Sequence, residues 1–185
     1  VWRQLPAPET STRGVGFLGL GALGAEAAGK VAALGFDVAG WARTPKSIPS
    51  VKSYAGPDEL DAFLARTDIL CGLLPLTPET QGILNDETFC KLRRDGLTDG
   101  PVIINAARGG HQREADIVRA LTDGTLRAAS LDVFETEPLP MSSPLWELPN
   151  CFITPHIAAA SSERTGVAYF SKAIIEQLQM LGYME

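Results

Sequence analysis

No apolar run in the chain approaches the ~20 residues that a helix needs to cross a bilayer. The first residues also lack the basic-then-apolar pattern of a secretory leader. Positive charge is not gathered anywhere. Lys and Arg are scattered and the formal net charge is −6, which argues against a partner with a phosphate backbone. Nucleic acid and membrane are therefore not expected as partners. Cysteine is scarce: Cys71, Cys90 and Cys151 are far apart, odd in number and without ligand spacing, so buried thiols in a reducing compartment are expected, with no metal. Taken together, these absences predict a cytoplasmic protein.

What the chain does have is an ordinary globular composition, 45% hydrophobic and 21% charged over 185 residues. That length suits one domain with a sizeable core, or one with an extension. Three of its 18 glycines are organised. In GVGFLGLGALGAEAAGKVAAL, residues 14–34, an apolar run over 15–18 reads as a buried strand. It breaks at Gly19, Gly21 and Gly24 into an alanine-rich helix, giving G-x-G-x-x-G between strand and helix. Gly19 permits the tight turn, Gly21 lets the backbone approach a pyrophosphate, and Gly24 lets helix and strand pack closely. The amides at the helix start, at Ala22 and Leu23, then face the phosphates, aided by the helix dipole.

The helix should end near Gly35, and a second strand follows over 37–41. Its end bears on the coenzyme. An NAD site of this type commonly places an acid about 20 residues beyond the glycines for the ribose hydroxyls, whereas a 2′-phosphate wants a cation. Here the strand runs into Arg43, Thr44 and Lys46, and the nearby acid, Asp37, sits at the wrong end. The planar fork of Arg43 suits a phosphate, so NADP is expected as cofactor, with NAD as the alternative.

Further along, strands are expected over 51–54, 69–74, 102–105, 128–133 and 151–154, with helices from Pro57, over 86–92 and over 114–121, and a last helix over about 162–181. Arg93 and Arg94 read as a solvated face. Strand and helix alternate with short connections, which predicts α/β: a doubly wound parallel sheet, a Rossmann-type domain. In such sheets ligands bind at the carboxyl ends of the strands. That edge supplies further expected coenzyme contacts: Leu74, Pro75 and Thr80 of the loop PLTPET, then Ala106, and Ala158 after the last strand.

Three strand-end residues suggest chemistry. Arg108 follows the strand ending at Asn105, Glu137 follows LDVF, and His156 follows Thr154 and Pro155. A glutamate near a histidine can orient the ring and favour its charged form, making a general acid near neutral pH. An arginine in the same cleft can hold a carboxylate by two parallel hydrogen bonds. His111, in a polar run before a helix, reads as structural or solvent-facing. Asp132 reads either as a turn residue or as a coenzyme contact.

The ordered motifs GLGALG, LLPLTPETQGIL, INAARGG, LDVFETEPLP and TPHIAA resemble the D-isomer-specific 2-hydroxyacid dehydrogenases across nearly the whole chain. WARTPKSIPSVKSYAG, ARGGHQREADIV and EPLPMSSPLWELPN are similar to the glyoxylate/hydroxypyruvate reductase A group within that family. The resemblance implies that Arg108 binds the substrate carboxylate and that His156, paired with Glu137, donates and accepts the proton. It places Arg108, Asp132 and His156 beside the nicotinamide. The implied substrates are small 2-oxo acids, glyoxylate and hydroxypyruvate, reduced to 2-hydroxy acids. Residues 1–13 are then a linker remnant of an upstream lobe, 14–160 the NAD(P)-binding domain, and 161–185 a helix returning to that lobe. A homodimer through the coenzyme domain is implied as well. The alternatives are a non-catalytic dinucleotide-sensing interaction module, disfavoured by the joint presence of Arg108, Glu137 and His156, and a relative acting on phosphoglycerate or lactate.

Overall fold

The computed structural model describes residues 9–96 and 100–158. The last expected helix and residues 1–8 of the expected linker lie outside these. Two units are distinguished, residues 1–155 and 156–185. The first holds the sheet.

Among the described residues there are seven parallel strands: β1 (Gly14–Leu18), β2 (Asp37–Ala42), β3 (Val51–Ala55), β4 (Ile69–Gly72), β5 (Val102–Asn105), β6 (Ala128–Leu131) and β7 (Cys151–Ile153). They lie side by side in the order β3-β2-β1-β4-β5-β6-β7. The order reverses direction between β1 and β4, which is the switch point at which an open α/β sheet makes its crevice. The helices are α1 (Ala22–Ala33), α2 (Leu60–Leu64), α3 (Asp86–Lys91) and α4 (Glu114–Asp123).

The expected doubly wound sheet is therefore what forms. Its strands alternate between two cores, as a period of two requires. Val15 and Phe17 of β1 and Val38 and Ala42 of β2 pack with Ala28 of α1, while Leu18, Ala39, Leu70, Ile103 and Leu131 join Phe63, Phe89 and Ile117 on the opposite face. In α4, Ile117, Ala120 and Leu121 are buried at helical spacing, and the helix stops at Gly124, with φ 82°.

Some expectations shift. Pro57–Glu59 forms a 3₁₀ turn before the short α2, and β4 and β6 end two residues earlier than the apolar runs suggest, because hydrophobicity continues into the loops beyond the ladder. Arg93 is not on a solvated face. Its guanidinium bonds the carboxylate of Asp68, which is fully buried and also accepts the Gly14 N–H at 2.6 Å, and it reaches the Thr12 carbonyl at 2.7 Å. Cys90 is exposed rather than buried, because α3 turns its neighbours Thr88 and Phe89 inward. Burial pushes the Cys71 thiol up to about 12 and the Cys151 thiol to about 11, so neither is a nucleophile near neutral pH.

Candidate functional site

The carboxyl edge of the sheet is built from the loops after β1, β2, β4, β5 and β6. After β1, Gly19 takes φ 107°, a conformation open chiefly to glycine. A Cβ there would meet the Leu73 carbonyl oxygen at 2.6 Å and the Leu74 amide at 2.9 Å, in the chain leaving β4. A Cβ on Gly24 would overlap the Gly19 carbonyl oxygen, so this glycine seats α1 on the turn. Gly21 differs from both. It caps α1 with φ −71° and ψ −171°, is exposed, and a Cβ on it would meet nothing within 4 Å. The protein's own packing does not require a glycine here.

The first turn of α1 has no side-chain cap and no acidic residue, so among the described residues the amides at Ala22, Leu23 and Gly24 have no side-chain acceptor. Ala22 and Leu23 are exposed. An open space over glycine and the positive end of a twelve-residue helix together fit a pyrophosphate.

Arg43, Thr44 and Lys46 leave the end of β2, all exposed, and the Lys46 amide is anchored on the Ser53 hydroxyl at 3.1 Å. Neither Arg43 nor Lys46 joins an ion pair among the described residues. Across the opening, Glu79 has its carboxyl held below the usual range, first by a hydrogen bond from Thr77 and then by its own backbone, with the charge of Arg43 acting in the same direction. Asp37 lies at the amino end of β2, paired with Arg66.

In the loop after β4, Leu74 is half-buried against the core and Pro75 is exposed. The Thr80 hydroxyl donates to the Pro75 carbonyl at 2.8 Å and accepts the Thr77 N–H at 2.9 Å, so that hydroxyl is engaged in closing the loop. Ala106 is half-buried just past β5. Arg108 follows on the surface, its guanidinium folded back on the Ala107 carbonyl at 2.6 Å. Past β6, Asp132 is buried, with its N–H on the Asn105 carbonyl at 3.0 Å and its carboxylate accepting the Thr154 hydroxyl. Glu137 accepts the Phe134 N–H at 3.0 Å. Arg108 and Glu137 thus share one edge, as expected. His156, with φ 55°, and Ala158 are exposed and belong to the second unit.

His111, expected to be structural or solvent-facing, is buried at 2% exposure, and among the described residues neither ring nitrogen has a partner in hydrogen-bond geometry. Burial pushes its pKa down, while the Pro75 and Arg108 carbonyls act the other way and the Arg108 charge lowers it further. Two amides that sequence reasoning passed over, Asn105 and Gln112, are also buried here. Their only signal in the sequence is position, on either side of an arginine that leaves an apolar strand.

A doubly wound parallel sheet with a phosphate-shaped glycine turn at its switch point defines a Rossmann-type dinucleotide-binding domain. The family model for the D-isomer specific 2-hydroxyacid dehydrogenase, NAD binding domain, matches residues 1–158. The chain belongs to that family. It is 44% identical over 176 residues to the glyoxylate/hydroxypyruvate reductase A of Salmonella paratyphi B, covering 95% of this chain and 55% of the relative. Among solved structures, a probable 2-hydroxyacid dehydrogenase from Rhizobium etli in complex with NADP, HEPES and L(+)-tartaric acid is 54% identical, with TM-score 0.83 over 93% of this chain and 56% of that one. An NADPH-dependent glyoxylate/hydroxypyruvate reductase from Sinorhizobium meliloti, in complex with NADP and sulfate, is 48% identical, with TM-score 0.88 over 100% of this chain and 57% of that one. The chain spans a little over half the length of these relatives.

Proposed function

We propose that this chain is the coenzyme-binding domain of an NADPH-preferring reductase of small 2-oxo acids, with glyoxylate and hydroxypyruvate as the substrate class. The observation that carries the reading is Gly21: an exposed glycine at a helix cap with open space over it, at the switch point of the sheet. Such a residue is best accounted for by a ligand backbone lying against it. Arg43 at the end of β2, in no ion pair among the described residues, would hold a 2′-phosphate by its fork of donors.

Bound NADPH would supply a hydride to the carbonyl carbon of the substrate. Arg108 holds the substrate carboxylate and draws charge from the adjacent carbonyl. His156 delivers the proton to the carbonyl oxygen, with Glu137 orienting its ring. The relatives solved with NADP, and the reductase activity named for the Sinorhizobium meliloti and Salmonella proteins, support this reading.

The test is a parallel titration of NADPH and NADH into the 185-residue chain, followed by nicotinamide fluorescence. Clearly tighter binding of NADPH is expected. Equal or NADH-favoured binding would remove the role of Arg43, and binding of neither would overturn the reading of the glycine turn.

A further inference from the structure

The loop that carries Arg108 and the segment that carries Asp132 and Glu137 come from adjacent strands, β5 and β6, and nothing in the sheet ladder reaches beyond Asp132. Yet a carboxylate-holding arginine and the glutamate of an acid–base pair must keep their separation to well under an ångström if both are to meet one small substrate. The structure provides a connection. The side-chain amide of Asn105, fully buried, donates to the Arg108 carbonyl at 3.1 Å and to Gln112 Oε1 at 2.8 Å, while its oxygen accepts the Ala107 N–H at 3.2 Å. Gln112, 2% exposed, in turn donates through Nε2 to the Val133 carbonyl at 2.9 Å.

From this geometry we infer that Gln112 is a positioning residue, which fixes Arg108 against the Asp132–Glu137 segment and so sets the span of the carboxylate and proton-transfer groups. This rests on the function proposed above. Gln112 is suited to the task because an amide both accepts and donates: it takes one hydrogen from Asn105 and gives one to Val133, so both hydrogen bonds are met in a site closed to water.

The surrounding contacts make the coupling tight. A Cβ on Gly109, next to Arg108, would overlap the Phe134 carbonyl, so the two backbones touch where the arginine emerges. Phe134 is the residue whose N–H holds the Glu137 carboxylate. Farther out, Glu114 and Glu135 each accept the other's backbone N–H at 2.7 Å. Glu114 Oε1 also lies 3.5 Å from Gln112 Nε2. Gln112 occupies the centre of this seam, between the ladder and the paired glutamates.

The test uses this chain with Q112M, which keeps the volume and removes both bonds, and Q112E, which keeps the acceptor and regains a donor only when protonated. Two quantities are read from pH 5.5 to 8, each as a ratio to the wild type so that His111 and His156 cancel. One is the Arg108 Nε–Hε NMR signal in the ligand-free chain, assigned by its loss in R108K. The other is the affinity of the NADPH-loaded chain for oxalate, a two-carbon dicarboxylate.

Q112M should move the Arg108 signal towards that of free arginine and weaken oxalate about tenfold, the scale of one or two net hydrogen bonds, with NADPH affinity within about a factor of two. Q112E should match Q112M at pH 8 and recover towards wild type at pH 5.5, since burial beside Glu114 raises a carboxyl's pKa. An unmoved Arg108 signal in Q112M, or no recovery in Q112E, overturns the proposal. If Q112M fails to fold, the pH dependence of Q112E decides alone. A wild type that binds no oxalate would sink the carboxylate role of Arg108, and the Arg108 signal would still judge the positioning.

Discussion

Replacing the three glycines of the turn one at a time should separate what the fold needs from what the ligand needs. For Gly21→Ala the new methyl enters open space, and φ −71° with ψ −171° is extended backbone that alanine adopts. Alanine restricts the unfolded chain, which stabilises by about 0.4–1 kcal/mol, and it is a poorer helix cap than glycine by a few tenths. The expected net change is within about 0.5 kcal/mol. For Gly24→Ala the methyl lands on the Gly19 carbonyl oxygen, which is backbone and cannot swing away, so α1 must lift from the turn at about 3 kcal/mol or more. Gly19→Ala adds a left-handed backbone penalty of about 1–2 kcal/mol to its clash with Leu73. Coenzyme affinity should follow a different order. Gly21→Ala holds the pyrophosphate off the helix amides, and losing one charge-assisted hydrogen bond at about 1.5–3 kcal/mol weakens NADPH roughly 10- to 100-fold. Urea unfolding and NADPH fluorescence on the same preparations read both quantities. A Gly21→Ala protein with wild-type affinity would refute the phosphate cradle, and one destabilised by more than about 2 kcal/mol would refute the open space.

Arg43→Asp should reverse the coenzyme preference from NADPH towards NADH in the paired titration, and an unchanged ratio would discredit the phosphate contact. Asp68→Asn leaves the Arg93 guanidinium without its buried partner and should cost about 3 kcal/mol in urea unfolding; a change below about 1 kcal/mol would mean the pair contributes little. His111 has a lowered pKa in the fold, so the unfolded chain binds the extra proton: the stability it contributes is fully present above about pH 6.5 and is lost as pH falls below that value. The wild type should therefore lose stability relative to His111→Leu between pH 7 and pH 5, and a difference that stays constant or grows in acid would contradict the buried neutral ring.

The sheet was legible in the sequence because its central strands are covered on both faces and so read as apolar runs, while the glycine turn and the Asp123-Gly124 stop mark helix ends by backbone chemistry alone. Strand-end logic then placed Arg108 and Glu137 on one edge without any contact information, since each leaves the carboxyl end of a strand in an all-parallel sheet. What sequence reasoning missed is of another kind. Arg93 pairs with Asp68 across 25 residues, and Gln112 bonds Val133 across 21. No local periodicity records which polar side chain a fold will bury against a distant backbone group. His111 was expected to be structural or solvent-facing, and a polar neighbourhood in sequence could not choose between the two; the fold buries it.

These misses fall into a pattern with a physical cause. The fully buried carboxylate, Asp68, stands at the amino edge of the sheet, where Arg93 and the Gly14 amide compensate it and tie the start of β1 to the segment before β5. At the carboxyl edge the buried polar groups are the amides Asn105 and Gln112 and the carboxylate of Asp132, which accepts the Thr154 hydroxyl, while the charges of Arg43, Arg108 and Glu137 are left at the surface. The proposed chemistry requires an arginine to meet an anion and a histidine to change its protonation, and both respond to charge placed nearby. The link from Asn105 through Gln112 to Val133 holds the loops by neutral hydrogen bonds and adds no further charge to that edge. At the amino edge, away from that chemistry, the buried ion pair bears on stability. Substitutions at Asp68 and at Gln112 should accordingly separate: the first lowers the amount of folded protein and leaves ligand affinity per folded molecule intact, whereas the second weakens oxalate per folded molecule whatever it costs in stability.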